Sequence, residues 1–301
     1  MIRRIAGKLT VHRDARPEAL VAMRDHVMWR RIAGSTPLVT GAVLVVLVVL
    51  TAVLAPLLAP QDPNAQVLTD RLVGPGSDGH LLGTDQFGRD LLSRLIFGAR
   101  VSLQAGVVAV AIGASVGLVL GLSAGYLGGW VDMVIGRLFD IILSFPTILL
   151  ALAIVAVLGP SLVNTIIAIG VTTVPNYGRV LRSAVIAVRT REFIQASEAF
   201  GASSSYVLVR HALPNVLPPL IVVTSLGIAA AILVEATLSF LGLGVPPPTA
   251  TWGSVINDGK QYLDLAPWIS TLAGVAIVMA VLGFSLLGDG LRDVLDPRLH
   301  K

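Results

Sequence analysis

Residues Leu38–Leu58 read LVTGAVLVVLVVLTAVLAPLL, without one charged side chain. A hydrocarbon layer about 30 Å thick is crossed by roughly 20 mostly apolar residues in helical form, and this stretch has that length. More than 30 residues precede it, and its apolar run exceeds the roughly 7–15 residues of a secretory signal. It reads as a membrane helix and not as a cleaved leader. Five more stretches of the same kind follow: Val101–Leu122, Leu138–Leu158, Leu162–Leu181, Val216–Leu238 and Trp268–Leu287. The fourth of the six is the most polar. It holds Asn164, Thr165, Thr172 and Thr173, is interrupted by Pro175, and ends in Arg179 and Arg182, which would snorkel to the headgroups.

Composition points the same way. Of 301 residues, 54% are hydrophobic and 13% charged, against about 25% charged in a soluble domain. Mean hydropathy is +0.82. The chain has no cysteine, which removes disulfides, thiolate metal sites and cysteine nucleophiles. The expected fold class is therefore all-α: a polytopic membrane protein with six transmembrane helices.

Lys and Arg set the orientation. Arg3, Arg4, Lys8, Arg13, Arg16, Arg24, Arg30 and Arg31 precede the first span. Arg189, Arg191 and Arg210 lie between the fourth and fifth, and Arg292, Arg298 and Lys301 follow the sixth. The short link 159–161 has no basic residue, and the link between the fifth and sixth spans has only Lys260. Both termini are thus expected in the cytoplasm. The organisation reads as a cytoplasmic segment (1–36), a first helix (37–58), an extracytoplasmic segment (59–99), a five-helix core (100–290) with a cytoplasmic loop at 190–214, and a cytoplasmic tail (291–301). The net charge of +4 is a matter of membrane orientation, and no nucleic-acid partner is expected.

The loop 191–214, REFIQASEAFGASSSYVLVRHALP, reads as two short helices with a break. Gly201 suits the left-handed position that closes a helix. Ser203 or Ser204 can cap the next one, a helix Tyr206–Leu213 that Pro214 is expected to stop. Small residues at such a turn let another protein approach closely. The residues alone leave two readings open, an ordinary connector and a docking elbow.

The loop resembles the coupling loop of ABC-importer permeases, the EAA motif. The triplet falls on Gln195, Ala196 and Ser197, where the motif's Glu and second Ala are replaced; Glu198 and Ala199 follow. Gly201, with Ala202 and Ser203 behind it, and Leu213-Pro214 keep the anchor spacing. Further stretches are similar to the dipeptide, oligopeptide and nickel group of these permeases: LGTDQFGRDLLSRLIFGAR (82–100), GYLGGWVDMVIGRLFDIILSFP (125–146), EATLSFLGLGVPPPTATWG (235–253) and GDGLRDVLDPRL (288–299). The likeness covers about Leu38–Leu299, and the long first outer segment suits the C-type member of a permease pair. The resemblance implies a type I importer permease fold in a bacterial plasma membrane. It implies as partners a second permease subunit in a heterodimer, two ABC ATPase subunits or domains, and an extracytoplasmic substrate-binding protein. ATP and Mg would sit on the partner subunits. This chain has no G-x-x-x-x-G-K-[ST] loop and no zinc-type His pair, so neither cofactor binding nor catalysis is expected of it. Peptides are the implied cargo, with nickel chelates and sugars as alternatives.

Three further places stand out. In the outer motif Gly83, Thr84, Asp85, Gly88, Arg89 and Asp90, the glycine permits a tight turn, the aspartates can cap the following helix, and Arg89 can pair with either. The other reading of that motif is contact with the solute-delivering protein. Arg137 and Asp140, three apart, can pair on one helix face, near Asp132. Glu235 lies deep in AAAILVEATLSF. It either lines the translocation path or bonds backbone amides near Gly242 and Gly244. Trp252 and Trp268 suit the outer interface. A rival class, an ion-driven secondary transporter, would show several midplane charges or paired broken helices; a non-transporting scaffold or receptor would have no ATPase partner.

Overall fold

The computed structural model describes residues 35–77 and 79–295. The basic N-terminal segment up to residue 34 and the end of the tail, from residue 296, lie outside the described residues. What is described is helical, with only isolated β-bridges besides.

The first helix, α1, runs over Thr36–Val53 with Pro37 in its first turn, where a missing N–H costs nothing. It breaks at Leu54, and a short α2 (Ala55–Leu58) follows. The break falls where Pro56 cannot supply the amide that a continuous helix needs. Residues 59–90 form turns on the far side and lead into α3, Leu91–Leu127. This helix is 37 residues long, about 55 Å at ~1.5 Å per residue. It begins ten residues before the expected Val101, because Asp90 caps it and the charge of Arg94 in its first turn is neutralised by aspartates.

The expected single span Leu138–Leu158 is two helices, α4 (Gly129–Leu143) and α5 (Thr147–Leu158), meeting at 86°. Pro146 sits in the gap; it removes an amide and disfavours the helical conformation for the residue before it. The next helix, α6 (Leu162–Arg189), continues past Leu181 and carries Pro175 inside it. Arg179 and Arg182 do not simply reach for headgroups. Arg182 grips Asp132 in a two-pronged pair, and Arg179 meets Asp140 at 2.6 Å. Asp140 is therefore paired across helices and not with Arg137 on its own.

After α6 come α7 (Glu192–Ala199), α8 (Ser204–Val207), a widened π turn at Leu208–Ala212, and α9 (Leu213–Phe240). Pro214 does not stop the chain: it sits in the first turn of α9, and helix continues on both sides. The π turn before it gives the proline ring room where an α turn would crowd the carbonyl one turn back. A short α10 (Trp252–Gly259) and a long α11 (Pro267–Leu295) complete the chain. Trp252 is buried, its indole N–H donating to the Leu95 carbonyl at 3.0 Å, so it is a core residue and not an interface anchor.

Among the described residues, four stretches are long and apolar enough to cross a membrane: Thr36–Val53, Leu91–Leu127, Ser204–Phe240 and Pro267–Leu295. The bent pair α4–α5 adds a fifth if it is one span. Helix α6 is not among them: Asn164, Pro175, Asn176, Arg179 and Arg182 make it too polar. One face of it is buried, with Thr165, Thr172, Tyr177 and Leu181, while Val163, Ile167, Val171 and Ile186 are exposed on the other.

A stripe of small residues fixes the central pair. Gly113, Gly117, Gly121 and Gly125, one turn apart on α3, press on α6. A methyl group at Gly121 would lie 2.6 Å from the Gly178 carbonyl oxygen; at Gly125, 2.8 Å from that of Arg182. Helices in lipid have no hydrophobic drive toward one another, so backbone contact through small residues supplies the attraction.

Candidate functional site

The turn between α6 and α9 projects as an elbow. Gly201 has φ +82°, a conformation that closes α7 at low cost only in glycine. Its amide bonds Glu198 O at 2.9 Å, and the Ala202 amide bonds Ser197 O at 3.1 Å. Ser203 caps α8, accepting from the Tyr206 amide. Ile194, buried, pins α7 into a cluster with Tyr126, Leu181, Val185, Val188, Val207 and Val216. The His211 ring packs edge-on against Phe193 and Tyr206, at 6.1 and 5.5 Å, and ties the two arms together.

The outward side of this elbow is apolar. Phe200 is 92% exposed, and Phe193, Tyr206 and Val209 are exposed around it. Gln195, Ala196, Glu198 and Ala199 are also exposed, and Ser197 is half-buried. The Gln195 amide nitrogen lies 3.5 Å from the Thr190 carbonyl oxygen. Leu213 and Pro214 sit at the root of α9, where Pro214 lines a cavity with Arg191, Asn215 and Arg292. Phe200 thus stands as an exposed aromatic side chain at the end of a two-turn helix.

On the opposite end, residues 83–90 make a tight structure. Gly88 (φ +70°) turns against the Val67 carbonyl, where a side chain would have no room. Thr84 and Asp90 form a bridge, the Leu91 amide bonds Gly83 O at 3.0 Å, and the Val73 amide donates to the Thr84 hydroxyl at 2.9 Å. Asp85 accepts from the amides of Phe87 and Arg89, and its other oxygen lies 2.6 Å from Arg89 Nε and 3.3 Å from Arg94 Nε. Both arginines also reach Asp258 on α10, at 3.1 and 3.3 Å. Asp90 accepts from the Ser93 amide and hydroxyl and meets His80 Nδ1 at 3.0 Å. Asp85, Arg89, Asp90 and Arg94 are all buried. The motif thus locks the start of α3 to α10. His80, Arg94 and Asp258 carry that lock but were not singled out from sequence: Asp258 joins across more than 160 positions, and no local pattern signals it.

Glu235 has no exposure at all. Its Oε1 accepts from the Ser239 hydroxyl at 2.7 Å, and its Oε2 is buried without a hydrogen-bond partner among the described residues. The expected backbone partners are otherwise engaged: the amides of Gly242 and Leu243 close the end of α9 on Ser239 O and Leu238 O. Glu235 is therefore bonded within α9, to a serine one turn on.

These features define a multi-pass helical membrane protein with an exposed elbow between two long helices. The sequence from 117 to 301 matches the family described as binding-protein-dependent transport system inner membrane component, and 26–75 matches the N-terminal TM domain of oligopeptide transport permease C. The chain belongs to this family of ABC-transporter permeases. It is 47% identical over 261 residues to the dipeptide transport system permease protein DppC of Alkalihalophilus pseudofirmus, covering 87% of this chain and 86% of that one. It is 45% identical to the probable D,D-dipeptide transport system permease protein DdpC of Escherichia coli strain K12, over 89% of each. It is 41% identical to a glutathione transport system permease protein GsiD of Escherichia coli O6:K15:H31, over 91% and 90%. Among solved structures, a chain of the MetNI methionine ABC transporter in inward-facing conformations shares the fold (TM-score 0.57, 20% identity, covering 68% of this chain and 98% of that one).

Proposed function

We propose that this chain is the membrane-spanning subunit of an ATP-driven importer for dipeptides or similar short peptides in a bacterial inner membrane. It acts with a second permease subunit, two ABC ATPase subunits and an extracytoplasmic binding protein, and itself performs no chemistry. Six spans cross the bilayer, with α6 as the most polar of them and both termini in the cytoplasm. The basic residues before α1 and after α11 support that orientation, as does the near absence of Lys and Arg from the α5–α6 link.

The observation that carries the reading is the elbow: Phe200 stands free at the tip of a capped helix, held from behind by Ile194. Residues Gln195–Ser203 would seat in a cleft of the ATPase, and Leu213-Pro214 would pass its motion into α9. The relatives named for dipeptides and glutathione support a peptide cargo. The test is to replace residues 195–203 with a Gly/Ser sequence of equal length and purify the assembled complex. Loss of ATPase capture is expected. Full capture together with solute-stimulated ATP hydrolysis would end the proposal.

A further inference from the structure

The elbow has a second, polar attachment besides the Ile194 anchor. The Tyr126 hydroxyl, in the last turn of α3, donates to Glu198 Oε1 at 2.7 Å. The ring is buried, and the Arg189 guanidinium at the end of α6 lies 5.4 Å from its centroid. Glu198 is four residues after Ile194, so both project from one face of α7. Ile194 enters the apolar cluster while Glu198 reaches α3.

Three facts separate this contact from ordinary packing. A hydrogen bond to an ionised carboxylate is short and directional, so it resists sliding of α7 against α3 more than apolar contact does. Beside it lies a cavity of about 400 Å³ lined by Gly125, Ile186, Arg189, Thr190, Gln195 and Glu198, so the bond is made at the edge of an open space and not within close packing. Finally, α3 is one unbroken helix from Tyr126 to the Asp85–Arg89–Arg94–Asp258 lock at its other end, so displacement at one end is carried to the other.

The geometry points to Tyr126 as a positioning residue that ties the docking elbow to α3 and so delivers ATPase motion to the outer side of the protein. This rests on the elbow's role under Proposed function and adds a second route beside Leu213-Pro214 and α9. It assigns no chemistry to Tyr126.

The test uses the full importer in liposomes with its binding protein, reading ATPase capture, ATP hydrolysis with and without loaded binding protein, and peptide moved per ATP. In Y126F the ring, its burial and the Arg189 contact remain and only the hydroxyl is gone. Capture should persist, while stimulation by loaded binding protein falls about fivefold or more, the lower end of typical coupling effects. E198Q keeps an acceptor oxygen and should retain most of the stimulation; E198A should not. Y126F should have no further effect in an E198A background, because the partner is already missing. Wild-type stimulation in Y126F, while the Gly/Ser elbow still fails to capture ATPase, would overturn the strut and leave the elbow's docking role standing. Lost capture in Y126F would overturn it too, since Tyr126 would then merely prop the loop. If the Gly/Ser elbow itself captured ATPase normally, the reading beneath it would fail instead.

Discussion

Replacing Gly121 by alanine should force α3 and α6 apart. The new methyl carbon would lie 2.6 Å from the Gly178 carbonyl oxygen, 3.0 Å from Leu181 Cβ and 3.2 Å from the Arg182 amide nitrogen. Two of these atoms are backbone and cannot rotate away. Ordinary contact begins near 3.4 Å, so the helices must separate by about 0.8 Å along a seam that Gly113, Gly117 and Gly125 continue. Overpacking of this kind costs about 1–3 kcal/mol. Alanine in a helix returns roughly 1 kcal/mol relative to glycine, which would mask part of the loss. Gly136→Ala in α4 supplies the reference. It brings the same helical gain and meets nothing within 4 Å, so the difference between the two variants isolates the contact. At roughly 2–4 °C per kcal/mol, Gly121→Ala should melt about 2–12 °C below Gly136→Ala in detergent, followed by intrinsic fluorescence. Equal melting temperatures would refute the glycine seam as the source of α3–α6 packing.

Three further outcomes follow from the geometry. Asp85→Ala leaves two buried arginines with only Asp258 between them and should cost about 3–5 kcal/mol, seen as poor yield or a large drop in thermal stability; near wild-type stability would mean the outer lock is wet and weak. Glu235→Leu strips the buried Ser239 hydroxyl of its acceptor and should cost about 1–3 kcal/mol, whereas Glu235→Gln keeps an acceptor and should stay close to wild type; equal stability of the two in a melting assay would count against that bond. Gly201→Ala meets no atom within 4 Å but must hold φ +82°, costing about 1–2 kcal/mol. It should raise hydrogen exchange around residues 195–206 without lowering the global melting temperature, and unchanged exchange would show that the elbow does not need that conformation.

The chain's own pattern determined that it is a membrane protein, because a hydrocarbon layer demands uninterrupted apolar length and such length is visible residue by residue. The elbow was legible for a similar reason. A capping serine, a left-handed glycine and helix formers are local devices, and Gly201 and Ser203 act within a few residues of themselves. Tertiary structure decided what depends on partners far apart in the chain. Pro146 breaks the third stretch while Pro175 and Pro214 do not, since a proline is tolerated where the surrounding packing makes room for its ring. Glu235 found a serine one turn away, not the amides at the helix end. Asp258, more than 160 positions from Arg94, and Tyr126, 72 from Glu198, gain their roles only when the helices pack, because ion pairs and hydrogen bonds reach about 3 Å and sequence distance says nothing about which side chains come that close.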